Sequence, residues 1–131
     1  MRILLDTHCW LWWIADPGRL GSCARQLLTD LANELFLSAA SCWEIGIKYG
    51  LGKLSLPDAP DLFVPPRLAR DGIAPLPIAL SHTLAVWNLS LHHRDSFDRI
   101  LVVQTQQEGL MLLTADAVFT AYSVLTIPAD K

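Results

Sequence analysis

Apolar residues along this chain fall into short unbroken runs separated by stretches of helical periodicity. Ile3-Leu4-Leu5 is the first run and ends at Asp6-Thr7, as expected of a strand buried on both faces. A helical pattern from about His8 to Ile14 closes at Asp16-Pro17-Gly18, a strong turn signal. Ser22 is the expected N-cap of a helix through about Ala32, with Cys23, Leu27, Leu28 and Leu31 on one face. Leu35-Phe36-Leu37 is a second strand-like run, and a helix from Ser41 breaks at Gly50-Leu51-Gly52. Prolines at 57, 60, 65 and 66 punctuate the next stretch, so the helix over Leu62 to Arg70 is a weak signal.

The second half repeats the alternation. A third strand is predicted over Ile73–Leu76, a helix over Leu80–Leu89 and a helix from Asp95-Ser96 to Glu108-Gly109. A fourth strand over Leu110–Leu113, a short helix over Ala115–Ala121 and a fifth strand over Ser123–Thr126 complete the pattern. Strands alternating with helices imply βαβ units: a three-layer α/β/α sandwich around a parallel sheet of about five strands. The 131 residues fit one domain, and no repeat or long linker divides them. In such sheets the ligand site lies beyond the carboxyl ends of the strands, a rule that sorts the acidic residues.

Asp6 follows the first strand, Asp116 the fourth, and Asp98 stands in the first turn after Asp95-Ser96. Glu44 lies a helical turn beyond the second strand. Each has an ordinary explanation. Asp6, Asp95 and Asp116 suit helix N-caps, Asp98 suits a helix dipole, and Ser41-Cys42-Trp43-Glu44 reads as a capping box. Together they gather at one edge of the sheet, where like charges repel unless a cation neutralises them. An all-oxygen set suits Mg²⁺ or Mn²⁺, which share their coordination with water and substrate phosphate. Phosphodiester hydrolysis is the reaction such ions serve.

Composition changes this picture in two places. The net charge is −3, so no general basic field attracts nucleic acid and any such binding rests on a local site or on bound cations. Hydrophobic residues make up 52% and charged ones 18%, against usual shares of about 45–50% and about 25%. That excess points to an apolar patch covered by another chain. Three cysteines without zinc-like spacing argue against a disulfide framework and suit a reducing cytoplasm. The start of the chain is too short for a signal peptide before Asp6, and Cys9–Ala15 is too short to span a membrane.

Leu5-Asp6-Thr7-His8, Ser38 to Ile45, His93-Arg94-Asp95-Ser96-Phe97-Asp98-Arg99 and Leu113-Thr114-Ala115-Asp116 together resemble the acidic blocks of PIN-domain nucleases. More narrowly, they are similar to VapC-type toxins of bacterial toxin–antitoxin pairs. The blocks keep the family's order and extend from Leu4 to Phe119. Ser96, where relatives usually carry Pro, and Ala115, where a polar residue is common, are departures that remove no acid. The resemblance implies a Mg²⁺- or Mn²⁺-dependent endoribonuclease, usually a homodimer, silenced by a cognate antitoxin. It implies Asp6, Glu44, Asp98 and Asp116 as metal-binding acids, with Asp95 as the alternative to Asp98, and Thr114 as a supporting hydroxyl.

Arg94, Arg99 and His93 flank the acids as candidate contacts to RNA phosphate, and for the arginines ion pairs with Asp95 or Asp98 are an equal reading. His8, His92 and His93 lack zinc spacing. Lys48 and Lys53 read as solvated. Three tryptophans at 10, 12 and 13 cannot all face one core, so one is expected inside and another at an interface. A phosphoaspartyl phosphatase would need a second Asp where His8 stands, and a phospho-acceptor domain a paired acid and a late Lys. A non-catalytic module would be favoured only if one of the four acids were missing.

Overall fold

A computed structural model describes residues 1–91 and 95–131. Five strands form one all-parallel sheet: β1 (Arg2–Leu5), β2 (Glu34–Ser38), β3 (Ile73–Leu76), β4 (Met111–Thr114) and β5 (Thr126–Pro128), in the order β3-β2-β1-β4-β5. The helices are α1 (Thr7–Ala15), α2 (Ser22–Thr29), α3 (Ala39–Gly50), α4 (Pro60–Asp71), α5 (Leu80–Ala85) and α6 (Ser96–Glu108), with 3₁₀ turns at Pro17–Arg19, Val86–Asn88 and Ala117–Ala121. This is the predicted three-layer sandwich.

Alternation along β1 explains the layers. Ile3 and Leu5 face one side, where they meet Cys9 and Trp10 of α1, Leu28 of α2, Ile45 of α3 and Phe63, Val64 and Leu68 of α4. Leu4 faces the other side and packs with Leu101 and Val102 of α6, Phe119 and Tyr122. Leu4 and Leu5 are fully buried, as the unbroken apolar run requires of a central strand. The chain leaves β3 through α5 and α6 and returns on the far side of β1, pairing β4 with it in the register Leu5 to Leu113. The strand order therefore reverses between β1 and β4, and the crevice of an open α/β sheet opens at that reversal.

Several boundaries differ from the sequence reading. Helix α2 is capped by Gly21 and ends at Thr29; Ala24 and Leu28 are its buried positions, whereas Cys23 is exposed and Leu31 fully exposed. The stretch with Pro65 and Pro66 is a full 12-residue helix. The prolines withhold N–H groups from the carbonyls of Asp61 and Leu62, both on exposed residues that water can serve. Instead of one helix over Leu80–Leu89, α5 stops at Ala85 and a 3₁₀ turn follows. Strand β5 lies later than predicted because the N–H of Leu112 in β4 donates to the carbonyl of Leu125, which sets Leu112 opposite Thr126.

Candidate active site

The end of β1 delivers Asp6 to the switch point. Asp6 occupies the N-cap position of α1, yet its side chain caps nothing. Its Oδ2 instead accepts a 2.8 Å hydrogen bond from Thr114 Oγ1 at the end of β4. The same Thr114 oxygen accepts the backbone N–H of Asp116 at 3.0 Å. One buried hydroxyl thus ties the acid of β1 to the loop carrying the acid of β4. Burial pushes the Asp6 carboxyl above the ordinary range, with the Thr114 bond opposing and nearby Glu44 adding to the rise.

The capping box expected at Ser41 is not formed. Helix α3 begins earlier, at Ala39, because Ser38 caps it by accepting the N–H of Ala40 at 3.0 Å. Ser41 lies inside the helix and accepts a 2.7 Å hydrogen bond from Thr7 Oγ1, a buried strut between α1 and α3. Glu44 is therefore in the second turn, buried on the inner side, and free of any capping duty. Its Oε2 holds the Lys48 ammonium at 2.7 Å, while its Oε1 is buried with no hydrogen-bond partner among the described residues.

Asp95 and Asp98 have separate tasks. Asp95 caps α6, its Oδ1 accepting the N–H of Phe97 at 2.9 Å and of Asp98 at 3.3 Å. Asp98, in the first turn, has its pKa pushed up to about 8, first by desolvation and then by the charges of Asp6, Asp95, Glu44 and Asp116. A carboxyl at a helix N-terminus is ordinarily made more acidic; here repulsion and burial outweigh the dipole. Asp116 caps the 3₁₀ turn through the N–H of Val118 at 3.0 Å and is exposed.

Four acids from four separate elements thus meet electrostatically at Asp98. Among the described residues no group of three or more His, Cys, Asp or Glu side chains stands in ready-made ligating geometry. The donor set nevertheless fits a hard divalent cation: it is all oxygen, it repels itself, and Glu44 Oε1 is an orphaned buried acceptor. Beside Asp6 and Asp116 lies a cavity of about 220 Å³ whose wall includes exposed His8 and half-buried Trp12.

The other candidates separate clearly. Arg99 donates to the carbonyls of Val86 at 3.1 Å and Ser90 at 3.3 Å, bracing the segment that leads toward α6. His93 and Arg94 lie outside the described residues. Trp10 is the core tryptophan of α1, edge-on to Phe63, while Trp12 and Trp13 are half-buried. The exposed tryptophans are Trp43 and Trp87 instead, the former edge-on to Phe97. Lys48 is the residue that sequence reasoning undervalued. Its signal was the i,i+4 spacing from Glu44, which puts both on one helix face.

Residues 3–125 match the sequence model of the PIN domain. A 59-residue stretch is 46% identical to Ribonuclease VapC16 of Mycobacterium tuberculosis, covering 45% of this chain and 42% of that relative, so the match spans less than half of either. The fold is similar to that of VapBC2 from Rickettsia felis, solved bound to a DNA fragment from its promoter (TM-score 0.72, 15% identity, 98% of each chain). It is also similar to VapBC-1 from nontypeable Haemophilus influenzae (TM-score 0.70, 14% identity, 100% of each chain). With a family match over nearly its whole length, this chain belongs to the PIN-domain family.

Proposed function

We propose that this protein is a divalent-cation-dependent endoribonuclease and the toxin of a toxin–antitoxin pair. The observation that carries the reading is the convergence of Asp6, Glu44 and Asp116 on Asp98, whose charges, with that of Asp95, add to burial in lifting its pKa to about 8. Charges of one sign gathered at a crevice destabilise a fold unless a bound ion uses them. Asp6, Glu44, Asp98 and Asp116 would hold Mg²⁺ or Mn²⁺, and such an ion, when bound, activates water and stabilises the charge of an in-line phosphodiester displacement. It also offsets the negative field of a chain whose net charge is −3.

The chain's own residues prepare that site. Thr114 fixes Asp6 and the Asp116 loop together, Asp95 holds the start of α6, and the Thr7–Ser41 strut holds α1 against α3. His8 and Trp12 wall the cavity beside the acids, which suits a nucleotide of single-stranded RNA. His93 and Arg94 remain candidates for its phosphates; Arg99 has a bracing role. An antitoxin partner is supported by the likeness to a protein named Ribonuclease VapC16 and to folds solved as VapBC assemblies. A second copy is supported by Leu80, Leu84, Trp87 and Leu91, four large apolar side chains within twelve residues of chain, each left 63–82% exposed. Single apolar residues are ordinary on a surface; several exposed close together in the chain are an interface signal.

The test is cleavage of RNA by the purified chain with Mn²⁺ or Mg²⁺, beside Asp6→Asn and Asp98→Asn. The wild type should cut, EDTA should stop it, and each variant should lose about 100-fold or more, the scale of losing a ligand-side group. RNA left equally intact by all three, or cut equally with EDTA present, overturns the reading.

A further inference from the structure

We propose that Lys48 is a resident counter-cation of the acid pocket, so that a divalent ion binding there competes with its ammonium for Glu44. This rests on the reading of the pocket as a cation site and adds how that site is regulated. Lys48 Nζ lies 2.7 Å from Glu44 Oε2, and the Glu44 side chain is only 4% exposed whereas that of Lys48 is 42% exposed. The carboxylate is thus fixed inside and the cation approaches from outside. Among the described residues Glu44 is satisfied on one oxygen only, Oε1 being buried and unpartnered. The charges of Asp95 and Asp98 further favour the ammonium form of Lys48. Through its bond to Glu44 it sits beside the pocket's acids.

A lysine suits this task better than an arginine. Its charge is a compact point on a flexible four-carbon stem, without the bidentate fork that fixes a guanidinium to a carboxylate. It can leave Glu44 by rotating its own side chain, with no movement of α3. While it stays, the buried Glu44 has a counter-ion and the metal-free fold tolerates its acids. When a divalent ion arrives, two positive charges compete for one carboxylate, and their repulsion lowers the ion's affinity. Lys48 thereby trades affinity for stability without the ion.

Removing the charge separates this role from two others. A solvated ion pair would change nothing beyond a small stability loss. A lysine that aimed Glu44 at the ion would weaken binding when removed. A counter-cation gives opposite signs: the metal-free fold weakens and the ion binds more tightly. The experiment is calorimetric titration of Mn²⁺, without RNA, into wild type, Lys48→Met and Lys48→Arg, with thermal unfolding of each in EDTA and in saturating Mn²⁺.

Lys48→Met should bind Mn²⁺ about tenfold or more tightly, melt several degrees lower in EDTA, and gain more from Mn²⁺ than wild type. Lys48→Arg should stay near wild type in EDTA and bind Mn²⁺ no more tightly. If Lys48→Met is unfolded in EDTA, the double variant Glu44→Gln/Lys48→Met should recover, because no buried charge is left unpaired; failure to recover overturns the proposal. So does unchanged or weaker Mn²⁺ binding by Lys48→Met while wild type binds, which leaves the cation site standing. Absence of Mn²⁺ binding by both wild type and Lys48→Met overturns the cation site and this proposal together.

Discussion

At the scale of single residues, every acid of this site has two candidate explanations, helix capping and convergence, and the structure separates them. Capping accounts for Asp95 and Asp116, whose side-chain oxygens accept helix N–H groups. It fails for Asp6, whose oxygen is engaged with Thr114, and for Glu44, which the earlier start of α3 moves out of capping reach. The sequence could show which residues were acidic and near strand ends, but not these assignments, because Ser38 and Ser41 compete as caps and only packing decides between them. Asp98 carries a measurable consequence. Its pKa rises from 3.8 to about 8 in the fold, so between those values the folded protein holds a proton that the unfolded chain has released. Stability of the metal-free protein should therefore fall as pH rises from about 4 to 8. Urea unfolding in EDTA at several pH values checks this: the midpoint should drop across the window, and Asp98→Asn should flatten the slope.

At the scale of elements, the strands and most helices were legible because their apolar runs and periodicities are local. Ile3-Leu4-Leu5, Leu35-Phe36-Leu37 and Ile73–Leu76 fall in strands as predicted, and Asp95-Ser96 opens α6. What escaped was set by contacts far apart in the chain. The helix over Leu62 to Arg70 is only a weak signal because of prolines 65 and 66, and it forms longer, over Pro60–Asp71, because it buries Phe63, Val64 and Leu68. The place of β5 depends on its pairing with β4, which no local pattern records. His82 is a third case, a histidine with no sequence signal that proves to join two helices. Its Nδ1 accepts the N–H of Ala79 at 2.9 Å, which leaves Nε2 to donate to Glu108 Oε1 at 2.9 Å. It is 1% exposed, with Nδ1 closing the N-terminus of its own helix α5 and Nε2 fastening α5 to α6. His82→Ala should cost about 2–3 kcal/mol through the lost bonds and the void. Denaturant unfolding measures it; a loss below ~0.5 kcal/mol would show the junction is held elsewhere.

At the scale of the whole molecule, topology makes the site. Because the chain crosses from β3 to β4 past β1, the ends of β1 and β4 become neighbours and the first turn of α6 arrives beside them. Asp6 and Asp116 are 110 positions apart in sequence and joined through one threonine hydroxyl. Among the described residues no helix is long and apolar enough to cross a membrane; exposed apolar side chains include Leu80, Leu84, Trp87 and Leu91, and Trp43, Ile47 and Leu51 on and just after α3. The central claim is that this convergence of acids is a divalent-cation site. Diffraction from crystals soaked in Mn²⁺, recorded at a wavelength where manganese scatters anomalously, tests it most directly. The account predicts an anomalous peak at the switch point within coordination distance of Asp6 and Asp98, with Asp95 still capping α6. A peak elsewhere, or none at saturating Mn²⁺, would contradict it.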